Sequence, residues 1–89
     1  MVCKSILVKG RVQGVFYRAS TKTDARKRSL TGTVKNLPNG DVYIDVFGSE
    51  DKVAELIEWC KQGPQHSKVD EVIVENIPEG SWDSFEVTF

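Results

Sequence analysis

Apolar and polar positions alternate at the start of the chain. Over residues 2–12, Ile6 and Val8 fall on one side of an extended backbone and Leu7 on the other, which predicts a strand. Residues 18–29 predict a helix on propensity more than on periodicity, because the apolar stripe is thin: Ala19 and Ala25, with Leu30 at the exit. Residues 31–37 predict a second strand, and Pro38-Asn39-Gly40-Asp41 after it carries the Asn-Gly signal of a hairpin. The third strand, 41–47, alternates Val42, Ile44 and Val46 with Tyr43, Asp45 and Phe47. The second helix has the clearest pattern. Ser49 suits its N-cap, Glu50 and Asp51 suit its first turn, and Val53, Leu56, Ile57 and Cys60 make one buried face. Gly63 and Pro64 stop it. Residues 68–77 predict a fourth strand and 81–89 a short last one, with Phe85, Val87 and Phe89 in phase.

The order is β-α-β-β-α-β with an added C-terminal strand. It implies an α+β fold, a ferredoxin-like sandwich with two helices on one face of an antiparallel sheet, formed by residues 1–89 as one domain. Split crossovers of this kind put the first and third strands side by side. The loop after the first strand and the start of the first helix then lie beside the second strand. On that strand Leu30, Gly32, Val34 and Asn36 share a phase. With Val34 turned to the core, Asn36 points the same way at the strand's end, where its amide needs partners.

Composition narrows the class. Hydrophobic residues make up 39% and charged residues 28%, values of a soluble globular chain rather than a disordered one. No apolar run approaches the ~20 residues of a membrane span, and no signal-like segment opens the chain, so a cytoplasmic location is expected. Cys3 and Cys60 are too few for a disulfide framework and lack metal-ligand spacing; they read as small buried thiols. The net charge of −1 hides an asymmetry: residues 1–35 hold nine bases and one acid, the remainder three bases and twelve acids. Either the basic third draws in a small anion, or the halves neutralise each other across the folded surface.

The candidate chemistry lies in that basic third, in Gly10-Arg11-Val12-Gln13-Gly14-Val15-Phe16-Tyr17-Arg18. Two glycines four apart, between a strand and a helix, let the backbone curl so that successive N–H groups converge. The helix adds the N–H groups and positive dipole end of its first turn, and Arg18 adds a planar fork of donors. These parts make an anion cradle of phosphate size, although most glycine-containing loops are only turns. The stretch is not a nucleotide P-loop, since no Gly-Lys-Ser/Thr follows. No serine, cysteine or histidine nearby is paired with a base, so the natural nucleophile is water, which Asn36 can hold. A site without a strong base or a metal suits a phosphoryl bond with a good leaving group, such as the carboxylate of an acyl phosphate. Catalysis is then positioning and charge stabilisation.

The stretch 10–18 resembles the first signature of the acylphosphatase family. Gly32-Thr33-Val34-Lys35-Asn36, followed by Leu37-Pro38-Asn39-Gly40, resembles the second, and Lys61-Gln62-Gly63-Pro64 fits as well. The resemblance covers essentially the whole chain. It implies that Arg18 binds the phosphate, that Asn36 positions the attacking water, and that the backbone N–H groups of Gln13, Gly14, Val15, Phe16, Tyr17 and Arg18 complete the cradle. It implies an enzyme with no cofactor and no metal, acting on a small-molecule acyl phosphate and releasing inorganic phosphate; no nucleic acid or membrane is expected as partner, and the absence of an obvious apolar surface stripe leads to the expectation of a monomer. Two positions depart from the commoner pattern: Thr33 stands where an aromatic residue is usual, and Tyr17 where phenylalanine is usual. A rival reading from the same element order is an RNA-binding module using Tyr43 and Phe47. Asp41 and Asp45 on that strand would repel a nucleic-acid backbone.

Overall fold

The computed structural model describes residues 1–80 and 82–88. The elements are β1 (Val2–Arg11), α1 (Tyr17–Lys27), β2 (Thr31–Asn36), β3 (Val42–Gly48), α2 (Glu50–Gln62), β4 (Lys68–Asn76) and β5 (Phe85–Val87). They follow the expected order, within a residue or two at the ends except for the last strand, expected from residue 81 but beginning at Phe85, because residues 83 and 84 form a bend rather than a strand. The expected last strand reached Ser81 and Phe89, which lie outside the described residues.

The five strands form one sheet in the order β4-β1-β3-β2-β5, so β1 and β3 are neighbours as expected. The sheet is mixed, which corrects the expectation of a wholly antiparallel one: β5 pairs in parallel with β2, while the other pairs are antiparallel. Chain direction explains the difference. β4 finishes beside the start of β1, where the Ile77 N–H donates to Cys3 O at 3.2 Å. A strand added at the β2 edge from that end of the sheet runs back in the direction of β2.

One face of the sheet supplies Ile6, Val8, Val34, Val42, Ile44 and Val46, all fully buried against the helices. From α2 come Val53, Leu56 and Cys60; Ile57 is only partly buried. The Ser49 hydroxyl accepts from the Lys52 N–H, as its N-cap position requires. The stripe on α1 differs from expectation. Ala19 is exposed, and the buried positions are Tyr17, Thr21 and Ala25, one turn apart. Thr21 can be buried because its hydroxyl donates to Tyr17 O at 2.8 Å.

Two local features bring the loops to one end of the sheet. In β1 the pairing with β4 shifts between Lys9 and Gly10. Gly10 has φ +134°, and a Cβ there would overlap the Lys68 carbonyl oxygen, so only glycine permits the approach of β4. The β2–β3 hairpin forms as the Asn-Gly signal predicts, but not as a two-residue turn. Gly40 N–H bonds Leu37 O and Leu37 N–H bonds Asp41 O, and of the turn residues only Gly40, at φ +99°, is left-handed. Pro38 at the first central position fixes the negative φ that this turn needs.

Candidate active site

Strand register decides what meets the loop after β1. Val42 pairs with Val8 on one side and with Asn36 on the other, so Asn36 sits level with the last part of β1. The loop leaves β1 at that same end, and α1 starts there. Parallel pairing of β5 sets Val87 opposite Val34, and the Thr88 N–H donates to Val34 O at 2.8 Å.

The loop is held by alternate side chains. Val12 is buried, Val15 packs against the core, and Tyr17 is buried, while Gly14 and Phe16 between them are exposed. The Tyr17 hydroxyl donates to Cys60 O at 2.8 Å, satisfying one of the last carbonyls of α2, and its ring tilts against Trp59 at 5.5 Å. Burial pushes the Tyr17 phenol far above its ordinary range, and it pushes the Cys60 thiol up to about 12, so neither ionises near neutrality. The departure from phenylalanine at position 17 therefore adds a brace rather than a reactive group.

Gly14, at φ +75°, and Phe16, at φ +62°, turn the backbone left-handed. None of the N–H groups of residues 13–17 donates to a backbone carbonyl among the described residues. No side chain among them caps α1, and its first turn carries no acid. The donors and the positive end of the helix dipole are thus left for an anion.

A cavity of about 330 Å³ opens at this end, lined by Val12, Gly14, Phe16, Tyr17, Arg18, Ala19, Asn36 and Val87. It brings Arg18 and Asn36 together with three of the other expected loop positions, Gly14, Phe16 and Tyr17. Gln13 and Val15 do not line it. Gln13 instead braces the loop: its side-chain amide donates to Leu37 O at 2.8 Å and to Asp41 O at 2.9 Å. Asp41 is held in turn by Lys9 at 2.8 Å and by its own N–H on the Asn39 side-chain oxygen at 3.0 Å. Its carboxylate raises the pKa of Lys9 above the ordinary lysine value, first through that hydrogen bond. The sequence pattern does not expose the Gln13 brace, because both of its acceptors are main-chain carbonyls on a distant hairpin. Val87 is likewise a wall residue that only the pairing of β5 reveals.

Asn36 is half-buried, and its Oδ1 has no hydrogen-bond partner among the described residues. A buried amide oxygen left unpaired costs roughly 1–3 kcal/mol. Asn36 thus sits beside the cradle at a cost that the fold itself does not offset. His66 is an exposed residue of the α2–β4 turn and takes no part in the cavity. Among the described residues no group of three or more His, Cys, Asp or Glu side chains could hold a metal ion.

The fold and the loop together define a ferredoxin-like α+β sandwich with a cavity at one end of its sheet. The acylphosphatase family profile matches residues 4–87. The chain is 46% identical over 85 residues to an acylphosphatase of Geobacter metallireducens, covering 94% of this chain and 91% of that one. It is 49% identical over 73 residues to one of Marinobacter nauticus, covering 82% and 79%. The solved acylphosphatase of Bacillus subtilis superposes with a TM-score of 0.97 at 34% identity, covering 100% of both chains. That of Coxiella burnetii superposes with a TM-score of 0.95 at 39% identity, covering 98% of this chain and 92% of that one. The chain belongs to the acylphosphatase family. It is a metal-independent hydrolase of acyl phosphates.

Proposed function

We propose that Arg18 and Asn36 are the catalytic residues and that the backbone N–H groups of Gln13, Gly14, Val15, Phe16, Tyr17 and Arg18 form the phosphate cradle. The observation that carries this reading is the shared cavity: Asn36, with its unpartnered Oδ1, lines the same space as Arg18 and the uncapped start of α1. The phosphoryl group of the substrate lies against the N–H groups, with the Arg18 guanidinium on its oxygens. Asn36 accepts a hydrogen bond from a water and turns the water's lone pair towards phosphorus. The new P–O bond forms from that water as the bond to the acyl oxygen breaks. The carboxylate leaves with the electron pair, and the water's proton ends on the phosphate product. A carboxylate leaving group needs no proton at neutral pH, so no general acid is required. The charge spread over the phosphoryl oxygens in a loose transition state is met by Arg18 and the amides.

Arg18→Gln is expected to abolish phosphate binding and turnover together. Asn36→Ala is expected to lower turnover by roughly 10²–10³ while phosphate still binds. Hydrolysis rates combined with calorimetric titration of inorganic phosphate check both. A near-normal kcat in Asn36→Ala would remove the water-positioning role. The reading extends to a cytoplasmic monomer: the two cysteines are free and buried, and the sequence shows no apolar stripe suited to a partner. Light scattering at assay concentration tests the oligomeric part. No helix among the described residues is long and apolar enough to cross a membrane.

A further inference from the structure

Lys9 and Asp41 are next in register after the last main-chain pair of β1 and β3, Val8 with Val42. Around that point β1 departs into the cradle loop and β3 emerges from the hairpin. Side chains keep the two segments joined there, with Lys9 Nζ on Asp41 Oδ2 at 2.8 Å.

Asp41 is only 7% exposed. A carboxylate this buried is costly unless it is paired, and the hairpin does not need one. Main-chain bonds close the turn, from Gly40 N–H to Leu37 O and from Leu37 N–H to Asp41 O, and a neutral residue at 41 would make the same bonds. What the carboxylate adds is a tether. Its Oδ2 accepts from Lys9 and from the Asn39 side-chain amide at 3.1 Å, while the Asp41 N–H donates to Asn39 Oδ1 at 3.0 Å.

The tether anchors one carbonyl. Asp41 O accepts from the Leu37 N–H at 2.8 Å and from Gln13 Nε2 at 2.9 Å. Leu37 follows Asn36 directly in the chain, and Gln13 lies in the loop ahead of Arg18. The segment that holds Asn36 and the segment that forms the cradle therefore meet on a single oxygen.

We infer that Asp41, anchored by Lys9, is a positioning residue for the hydrolysis, setting where Asn36 stands relative to the phosphoryl group. That role rests on the water positioning proposed for Asn36. The cradle has supports of its own in the buried side chains of Val12 and Tyr17. Loss of the tether therefore leaves phosphate held and moves the attacking water off its line. A misplacement of about 1 Å in a reacting geometry costs on the order of 10²-fold in rate.

The test measures kcat and KM for acetyl phosphate, with the Kd of inorganic phosphate, in Lys9→Met, Lys9→Arg, Asp41→Asn and the double variant Lys9→Met with Asp41→Asn. Lys9→Met and Asp41→Asn are expected to lower kcat roughly tenfold while the phosphate Kd stays unchanged. Lys9→Arg, which keeps the charge and the donors, is expected to retain kcat. The double variant is expected to lose no more than Lys9→Met alone, because both changes remove one link. A purely structural pair would shift the thermal midpoint and leave kcat at lower temperature unaltered. The Lys9 side chain is 38% exposed, so its variants keep the fold, which circular dichroism verifies; they decide the matter if Asp41→Asn does not fold. A kcat within experimental scatter of the unaltered protein in Lys9→Met, or a phosphate Kd that rises in step with the loss of kcat, overturns the positioning role. Asn36→Ala is assayed alongside. If it keeps its kcat, the water positioning falls and the role of Asp41 with it. If it loses turnover and Lys9→Met does not, only the role of Asp41 falls.

Discussion

Gln13 shows how much a single side chain can decide. Its amide donates two hydrogen bonds to main-chain carbonyls, Leu37 O and Asp41 O, and so ties the cradle loop to the hairpin that follows Asn36. Gln13→Ala leaves both carbonyls without this donor, and an expected cost of about 1–3 kcal/mol follows. Urea unfolding monitored by tryptophan fluorescence checks the figure. Turnover should fall in the same variant, because the loop and Asn36 lose their common brace; a variant of unchanged stability and rate would show that the brace is idle. In the sequence Gln13 reads only as one more backbone donor. Arg18 and Asn36, the residues proposed as catalytic, are singled out there by the two signature-like stretches that hold them. Gln13 is not, because a glutamine with main-chain partners leaves no complementary residue type to find.

Among the elements, β5 is the least secured by its own sequence and the most dependent on neighbours. Three residues pair it to β2, and Arg26 on α1 reinforces it, with Nε donating to Phe85 O at 3.1 Å and a terminal nitrogen donating to Glu86 at 2.8 Å. Lys22 approaches the same carboxylate at 3.7 Å. The Glu86 carboxyl is held below its ordinary value of 4.5, first by the Ser84 hydroxyl and then by Arg26 and Lys22. A carboxyl whose pKa is lowered on folding contributes stability that is complete above its unfolded value and is lost as the pH falls through the folded one. The protection of the Thr88 N–H against exchange is therefore expected to drop on acidification below 4.5, ahead of the amides of β3. In Glu86→Gln this early loss should disappear. Equal acid sensitivity in both proteins would separate β5 from this ion cluster. The elements themselves were readable from periodicity where a face is buried, as in α2 and β3. Periodicity failed on α1, where Ala19 lies outward and a hydrogen-bonded threonine, Thr21, lies inward, because a polar residue satisfied within its own helix leaves no mark on an apolar pattern.

Across the whole molecule part of the charge asymmetry resolves into pairing. Lys9 meets Asp41, Lys22 and Arg26 meet Glu86, and Arg28 meets Asp24 and Glu55. Apart from Asp24, these acids come from the rest of the chain, and the exposed pairs among them each contribute only about 0–1 kcal/mol. The core carries the stability. A domain of this length has a total of roughly 5–13 kcal/mol. Leu56, fully buried between α2 and the sheet, should cost about 2–5 kcal/mol on replacement by alanine, a large share of that total. A denaturant midpoint within experimental scatter of the unaltered protein would place Leu56 outside the core. The sequence by itself determined the element order, the hairpin and the capped second helix, because each follows from local periodicity, turn preference or side-chain chemistry. Only the tertiary structure decided that Val42 stands between Val8 and Asn36, that β5 runs parallel to β2 and carries Val87 to the cavity, and that Gln13 bonds a distant hairpin. Those are contacts between segments far apart in the chain, set by strand register and direction. No short stretch of sequence contains both partners.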